Sequence, residues 1–393
     1  MSDSKSRPDR NWVAKHIAGL PRSGIRDFFE LVNSRDGVIS LGIGEPDFVT
    51  PWGIREATIY ALDKGHTSYT SNLGLLSLRR ECCRYVGREF GVDYDPVGEC
   101  IITVGVSEGL DLIMRAILDP GDEVIYHEPS YVSYAPSVAM THAIPVAVTT
   151  EAENGFAVRA EDVEKRITPR TKALLLNYPN NPTGGNLSHA QKAALARLAV
   201  ERDLLVITDE IYSELTYGER TQSIAAFPGM RERTVFLHGF SKAFAMTGYR
   251  IGYACGPRPL IEAMMKVHQY SMLCACGFAQ EAALEALRNG ARDREAMRGE
   301  YEQRRNVIVR RLNGMGLSCN LPEGAFYVFP RIAATGLSAQ EFAMGLLEHK
   351  NVAVVPGTAF GAAGEGHVRC AYAASMADIE TAMSRMREFI DEL

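Results

Sequence analysis

Hydrophobic positions follow two rhythms along this chain. Between residues 101 and 255, short unbroken apolar runs alternate with stretches whose apolar residues recur every three or four positions. The runs at 101–104, 123–126, 144–148, 173–177, 204–208, 234–238 and 250–255 have strand length and read as buried strands. Helical patterns lie between most of them. In 107–118, Leu110, Ile113, Met114 and Ile117 share one face, and a second pattern covers 187–201. Apolar strands separated by amphipathic helices predict an α/β fold, a mainly parallel seven-stranded sheet with helices on both faces.

The flanks differ. Residues 1–15 are polar, 17–32 lead from a Pro-Gly loop into a helical pattern, and 37–51 form an extended run broken by Gly42, Gly44, Pro46 and Pro51. Helices are predicted over 51–62 and 75–90, with a polar loop holding Tyr69 between them. Beyond residue 260 the strands thin out. Long helices are predicted over 258–289 and 291–314, and strand-like pieces at 324–330, 352–355 and 367–373. A capping-box signature, Ser338 with Glu341, precedes one helix, and another closes the chain over 375–393. This predicts an arm over 1–45 that packs with a small α+β domain at 286–393, and a large domain at 46–285.

Composition narrows the class. Apolar residues at 46% and charged residues at 23% suit a globular enzyme, and a formal net charge of -6 offers no basic footprint for nucleic acid. No stretch approaches the roughly 20 apolar residues of a membrane span. The start, MSDSKSRPDRNW, lacks the apolar region of a secretory signal, so a cytoplasmic location is the default. The eight cysteines form no C-x-x-C pair and no zinc spacing, so no metal site is expected; most read as reduced core residues.

Candidate chemistry falls just past the strands, where ligands of such sheets bind. After 234–238 comes Lys242, and eight residues later Arg250. A lysine rooted at a strand end in apolar surroundings has a depressed pKa and acts as a nucleophile, while arginine's planar fork suits a phosphate. Together they suggest a carbonyl cofactor with a phosphate handle, held as a Schiff base. After 101–104, Gly105, Val106 and Ser107 open a helix whose free N–H groups form an anion site. Tyr131 follows 123–126, and Asn180-Asn181-Pro182-Thr183-Gly184 follows 173–177. After 204–208 come Asp209 and Tyr212, and an acid there is costly to bury without a partner.

In order and spacing, GEPDF (44–48), NNPTG (180–184), DEIY (209–212), SKAFAMTGYRIG (241–252) and VRCAYA (368–373) resemble the class I aminotransferases of the pyridoxal-phosphate fold-type I superfamily, in particular bacterial and archaeal aspartate and aromatic aminotransferases. The resemblance runs from about residue 17 to the C-terminus. It implies pyridoxal 5'-phosphate as cofactor and a ping-pong exchange of an amino group between an L-amino acid and a 2-oxo acid. Carried over residue by residue, Lys242 is the Schiff-base lysine and Asp209 the partner of the pyridine nitrogen. Tyr212 and Asn181 bond the cofactor's 3-hydroxyl oxygen, and Tyr131 stacks on its ring. Arg250, Val106 and Ser107 form the phosphate cup. Tyr69 reaches the phosphate of the neighbouring subunit, which implies a homodimer with shared sites. Arg369 holds the substrate α-carboxylate, with Gly44 against it. Where some relatives carry a phosphate-binding serine, three residues before the lysine, this chain has Gly239, and Ser241 is the candidate to compensate. Cis bonds are expected at Asn181–Pro182 and Glu128–Pro129.

Two other readings compete. A carbon–sulfur β-lyase would use the same core site. An aminotransferase-like regulator would need a DNA-binding domain, for which the roughly 40 residues before GEPDF are too few. For substrate, the segment 270–276, expected near the side-chain pocket, holds no cation. That favours apolar or aromatic donors, with glutamate or 2-oxoglutarate as partner. Arg22 or Arg26 of the arm meeting a dicarboxylate is the alternative, and would admit aspartate.

Overall fold

A computed structural model describes residues 12–20, 35, 37–219 and 222–393. The seven expected strands are present: β1 (Cys100–Thr103), β2 (Glu123–Glu128), β3 (Ile144–Thr149), β4 (Thr171–Asn177), β5 (Leu205–Asp209), β6 (Thr234–Gly239) and β7 (Gly252–Cys255). They form one sheet in the order β1-β7-β6-β5-β4-β2-β3. All neighbours are parallel except β7, which runs antiparallel to β1 and β6. The β6–β7 connection holds a 3-10 turn, Thr247–Tyr249, and no crossover helix, so the chain returns alongside β6.

The longer helices are α1 (Trp52–Asp63), α2 (Leu76–Phe90), α3 (Gly105–Ile117), α4 (His189–Glu201), α5 (Arg258–Ser271), α6 (Gly277–Asn289), α7 (Ala291–Gly314), α8 (Ala339–Lys350) and α9 (Met376–Asp391). Their apolar faces explain why the strands are hydrophobic without alternation. Leu175, Ile207 and Leu237 pack with Leu110, Ile113 and Met264 of α3 and α5 on one side, while Leu174, Leu176 and Val206 pack with Leu195 and Leu198 of α4 on the other. The box signature at Ser338 caps α8, with the Glu341 carboxylate accepting from Ser338. The helix predicted over 258–289 is two helices. Leu273, at φ 68, and a turn from Cys274 N–H to the Met272 carbonyl break it.

A second apolar core gathers α7, α8 and α9 around a three-stranded sheet of Tyr327–Val328, Val355–Pro356 and Val368–Ala371. Leu41 belongs to this core, and Ile39–Ser40 pairs in parallel with Val352–Ala353. Among the described residues, no helix is long and apolar enough to cross a membrane.

Candidate active site

The strand ends set the site's geometry. Asn177 and Asp209 are the last residues of β4 and β5 and lie side by side in register. The Asn177 side chain links the two ends, donating to the Asp209 main-chain carbonyl (2.9 Å) and accepting from Asn181 N–H (3.2 Å). Cis bonds stand at Glu128–Pro129 and Asn181–Pro182, and a third, not expected, at Tyr178–Pro179. Lys242, three residues past β6, points between these ends and donates to the Gly44 carbonyl (2.6 Å).

Lys242 and Asp209 both have pKa values displaced from the ordinary. Burial, with help from the charges of Arg369 and Arg250, pulls the Lys242 amine down to about 8, although Glu45 and Asp209 pull the other way. Burial pushes Asp209 up to about 6. Its carboxylate accepts from Tyr134 Oη (2.9 Å) and Ile211 N–H (3.2 Å), and among the described residues no cation pairs with it. Tyr212 is buried against Tyr327, their hydroxyls 3.0 Å apart, and burial holds its phenol well above the usual value.

Opposite stands Arg369, 3% exposed. Its guanidinium donates to Asn181 Oδ1 (3.0 Å) and the Gly42 carbonyl (2.5 Å) and lies between the rings of Tyr327 (4.5 Å) and Phe360 (4.8 Å). Its Nε is buried with no bonding partner. A cation clamped this way, with a donor to spare, suits a carboxylate.

At the far side, α3 begins at Gly105, which takes φ 73; a Cβ there would come within 2.8 Å of Arg250 Nη2. This is the close approach that brings the guanidinium onto the helix N-terminus. Glu108 holds that first turn, its carboxylate accepting from Val104 N–H (2.5 Å) and pairing with buried His268 (2.7 Å). The glycine at 239 has a steric reason: a Cβ would meet Val106 Cγ2 at 3.0 Å and Gly252 Cα at 3.1 Å. A serine does not fit beside Val106 without a shift.

Gly44, Val106, Ser107, Tyr131, Asn181, Asp209, Tyr212, Ser241, Lys242, Arg250 and Arg369 thus line one cavity of about 320 Å³. Tyr69 does not; it is 82% exposed on the surface. The segment at 270–276 does not line this cavity either, and Tyr270 and Met272 are exposed. Arg22 and Arg26 lie outside the described residues. Sequence reading missed Tyr134, Asn177, Tyr327, Phe360 and Glu108.

A buried lysine, an acid without a cationic partner, an arginine clamp and a helix N-terminus backed by a second arginine, all at the carboxyl ends of a parallel sheet, define a group-transfer enzyme working on small carboxylates. The comparisons narrow the class. The model of "Aminotransferase class I and II" matches residues 36–386, so the chain belongs to this aminotransferase family. It is similar to the putative aminotransferase YugH of Bacillus subtilis, with 50% identity over 97% of this chain and 98% of that one. It is also similar to aromatic-amino-acid aminotransferase 2 of Thermococcus litoralis, with 44% identity over 94% and 96%. The solved aspartate aminotransferase of Thermus thermophilus with maleate superimposes with a TM-score of 0.93, at 40% identity over 97% of this chain and all of that one (100%). The chain is an aminotransferase of fold type I that moves an amino group between amino acids and 2-oxo acids.

Proposed function

We propose that the cavity binds pyridoxal 5'-phosphate and that Lys242 carries the catalytic step, with an apolar or aromatic L-amino acid as the favoured donor. The observation that carries this is Lys242, buried, near pKa 8, and facing both Asp209 and Arg369 in one cavity. The site fits the cofactor. Gly105 and α3 with Arg250 suit a phosphate, the unpaired acid Asp209 suits a protonated ring nitrogen, and the spare Nε of Arg369 suits a substrate carboxylate. When bound, pyridoxal phosphate supplies a ring that draws off charge left on the substrate's α-carbon.

The chain's own groups do the rest. At pH 7 roughly a tenth of Lys242 is neutral, a few hundred times more than for an exposed lysine, so its lone pair is available for covalent attachment. With cofactor and substrate bound, Lys242 Nζ would be the group placed to take the α-proton. With the cofactor bound, Asp209, aligned by Tyr134, would keep the ring nitrogen protonated, and Tyr212 and Asn181 would donate toward the ring oxygen. Tyr131 would cover the ring, while Val106, Ser107, Ser241 and Arg250 would hold the phosphate.

Substrate choice rests on cations. In the cavity Lys242, Arg250 and Arg369 already have roles. The adjoining hollow of about 740 Å³ shares Ser107, Leu110 and Tyr131 and runs to Phe360; its charged residues are Asp111 and Glu128, both acids. A second substrate carboxylate finds no partner there among the described residues, whereas an apolar side chain gains by burial. Glutamate or 2-oxoglutarate, as the other partner, would call on Arg22 or Arg26. The test is kcat/KM for phenylalanine, alanine and aspartate in the parent, Arg22→Ala and Arg26→Ala. Phenylalanine should lead in all three; a preference for aspartate that collapses in either variant would reverse the reading.

The assembly in this reading is a homodimer in which Tyr69 completes the partner's site. The exposed aromatics Tyr69 and Tyr270 support it. Asn72 donates to the Leu273 carbonyl (2.9 Å), which ties their two loops into one surface. The three clusters packed about the seven-stranded sheet and the separate one around α7, α8 and α9 support large and small domains at 46–285 and 286–393, with residues 39–41 on the small one.

A further inference from the structure

Far from Lys242, the fold assembles a group that the sequence spacing conceals. Cys82 and Cys83 lie on α2, Cys100 opens β1, and Cys255 closes β7 directly opposite it in register. Both strands reach the cofactor side by their other ends, Thr103 and Gly252, so the cysteines sit at the opposite edge of the sheet. All four are buried, Cys83 the least at 7% exposure. The sulfurs of Cys83, Cys100 and Cys255 all lie within 4.8 Å of one another. Cys82, the preceding residue on the same helix, is buried as well.

A buried positive charge stands beside the cluster. Arg79, one turn earlier on α2, is buried with its guanidinium donating to the carbonyls of Gly74, Pro96 and Val97, and its charge acts on both Cys100 and Cys83.

We propose that Cys83, Cys100 and Cys255 form a binding site for one soft, thiophilic cation of the Zn²⁺ or Cu⁺ class. Thiolates select such ions over hard ones. Zn–S bonds of about 2.3 Å set sulfurs roughly 3.8–4.0 Å apart, within the 4.8 Å span of the present cluster. Three thiols and one divalent ion give a complex of charge −1 and release three protons; Arg79 offsets that charge, and no oxidant or reductant takes part. The bound ion would tie helix α2 to the sheet edge formed by β1 and β7, and stabilise the fold by mass action.

The test uses the holoenzyme with the two less buried cysteines removed, Cys274→Ser with Cys276→Ser, kept reduced by a phosphine and titrated with Cd²⁺. The expected result is a thiolate-to-metal absorption band in the near ultraviolet that saturates at a single Cd²⁺ per chain, the same stoichiometry by non-denaturing mass spectrometry, and a higher Tm. Cys83→Ala and Cys255→Ala, made separately so that either alone is informative, should each weaken binding at least about tenfold. Cys319→Ala, buried elsewhere, should leave it unchanged. No band saturating at one equivalent, or binding in Cys83→Ala and Cys255→Ala as tight as in the parent, would show that the cysteines are only apolar packing.

Discussion

Lys242 and Asp209 each have a pKa displaced by the same burial, and each shift makes a prediction. In the cofactor-free chain, the rate at which Lys242 captures pyridoxal phosphate should rise with pH around a midpoint of about 8. Replacing Arg369 by Leu removes a charge that lowers this value, so the midpoint should move up; an unshifted midpoint would mean that Arg369 does not act on the amine. Asp209 has its pKa raised, so its contribution to stability is complete below about 4 and is lost as pH rises through about 6. Cofactor-free Asp209→Asn should therefore melt no lower than the parent at pH 7, with a gain of up to about 3 kcal/mol that vanishes near pH 4. The same variant with cofactor should lose on the order of 10²–10³ in rate. A Tm deficit at pH 7 would show that the carboxylate is not strained by burial. These residues were legible because each directly follows an apolar strand. Tyr134 and Tyr327 were not: their partners, Asp209 and Tyr212, lie 75 and 115 positions away, and nothing in their local sequence marks them.

Among the elements, the junction of β6, β7 and α3 decides how closely the chain can approach an anion. Gly239→Ser, which restores the residue some relatives carry, should push against Val106 and cost about 1–3 kcal/mol of stability. Adding Val106→Ala should recover much of that loss, and a double-mutant cycle on Tm measures it. If the two changes add independently, the contact at 3.0 Å does not explain the glycine. Strands and capped helices were readable from periodicity because both faces of the sheet are covered. The break between α5 and α6 was not, since it depends on Leu273 at positive φ, a conformation that a leucine does not announce. The cysteine cluster was hidden for a related reason. Its members come from a helix and two strands that become neighbours only in the sheet order.

For the whole molecule, the parallel sheet, the second core and the family were all foreshadowed by alternating elements and five short motifs. In the proposed homodimer, the surface around Tyr69 serves a second copy. Mixing Lys242→Ala chains with Tyr69→Phe chains should give hybrid dimers in which one site has lost both residues and the other neither, so activity should rise above the sum of the parent variants. A fully active monomer by sedimentation would contradict shared sites. The central claim, that Lys242 anchors the cofactor, is tested most directly by borohydride reduction of the pyridoxal-phosphate-loaded enzyme followed by peptide mass mapping. The added cofactor mass should appear on Lys242, and Lys242→Ala should bind the cofactor without retaining it after reduction. Cofactor mass on another lysine, or undiminished labelling of Lys242→Ala, would contradict the account.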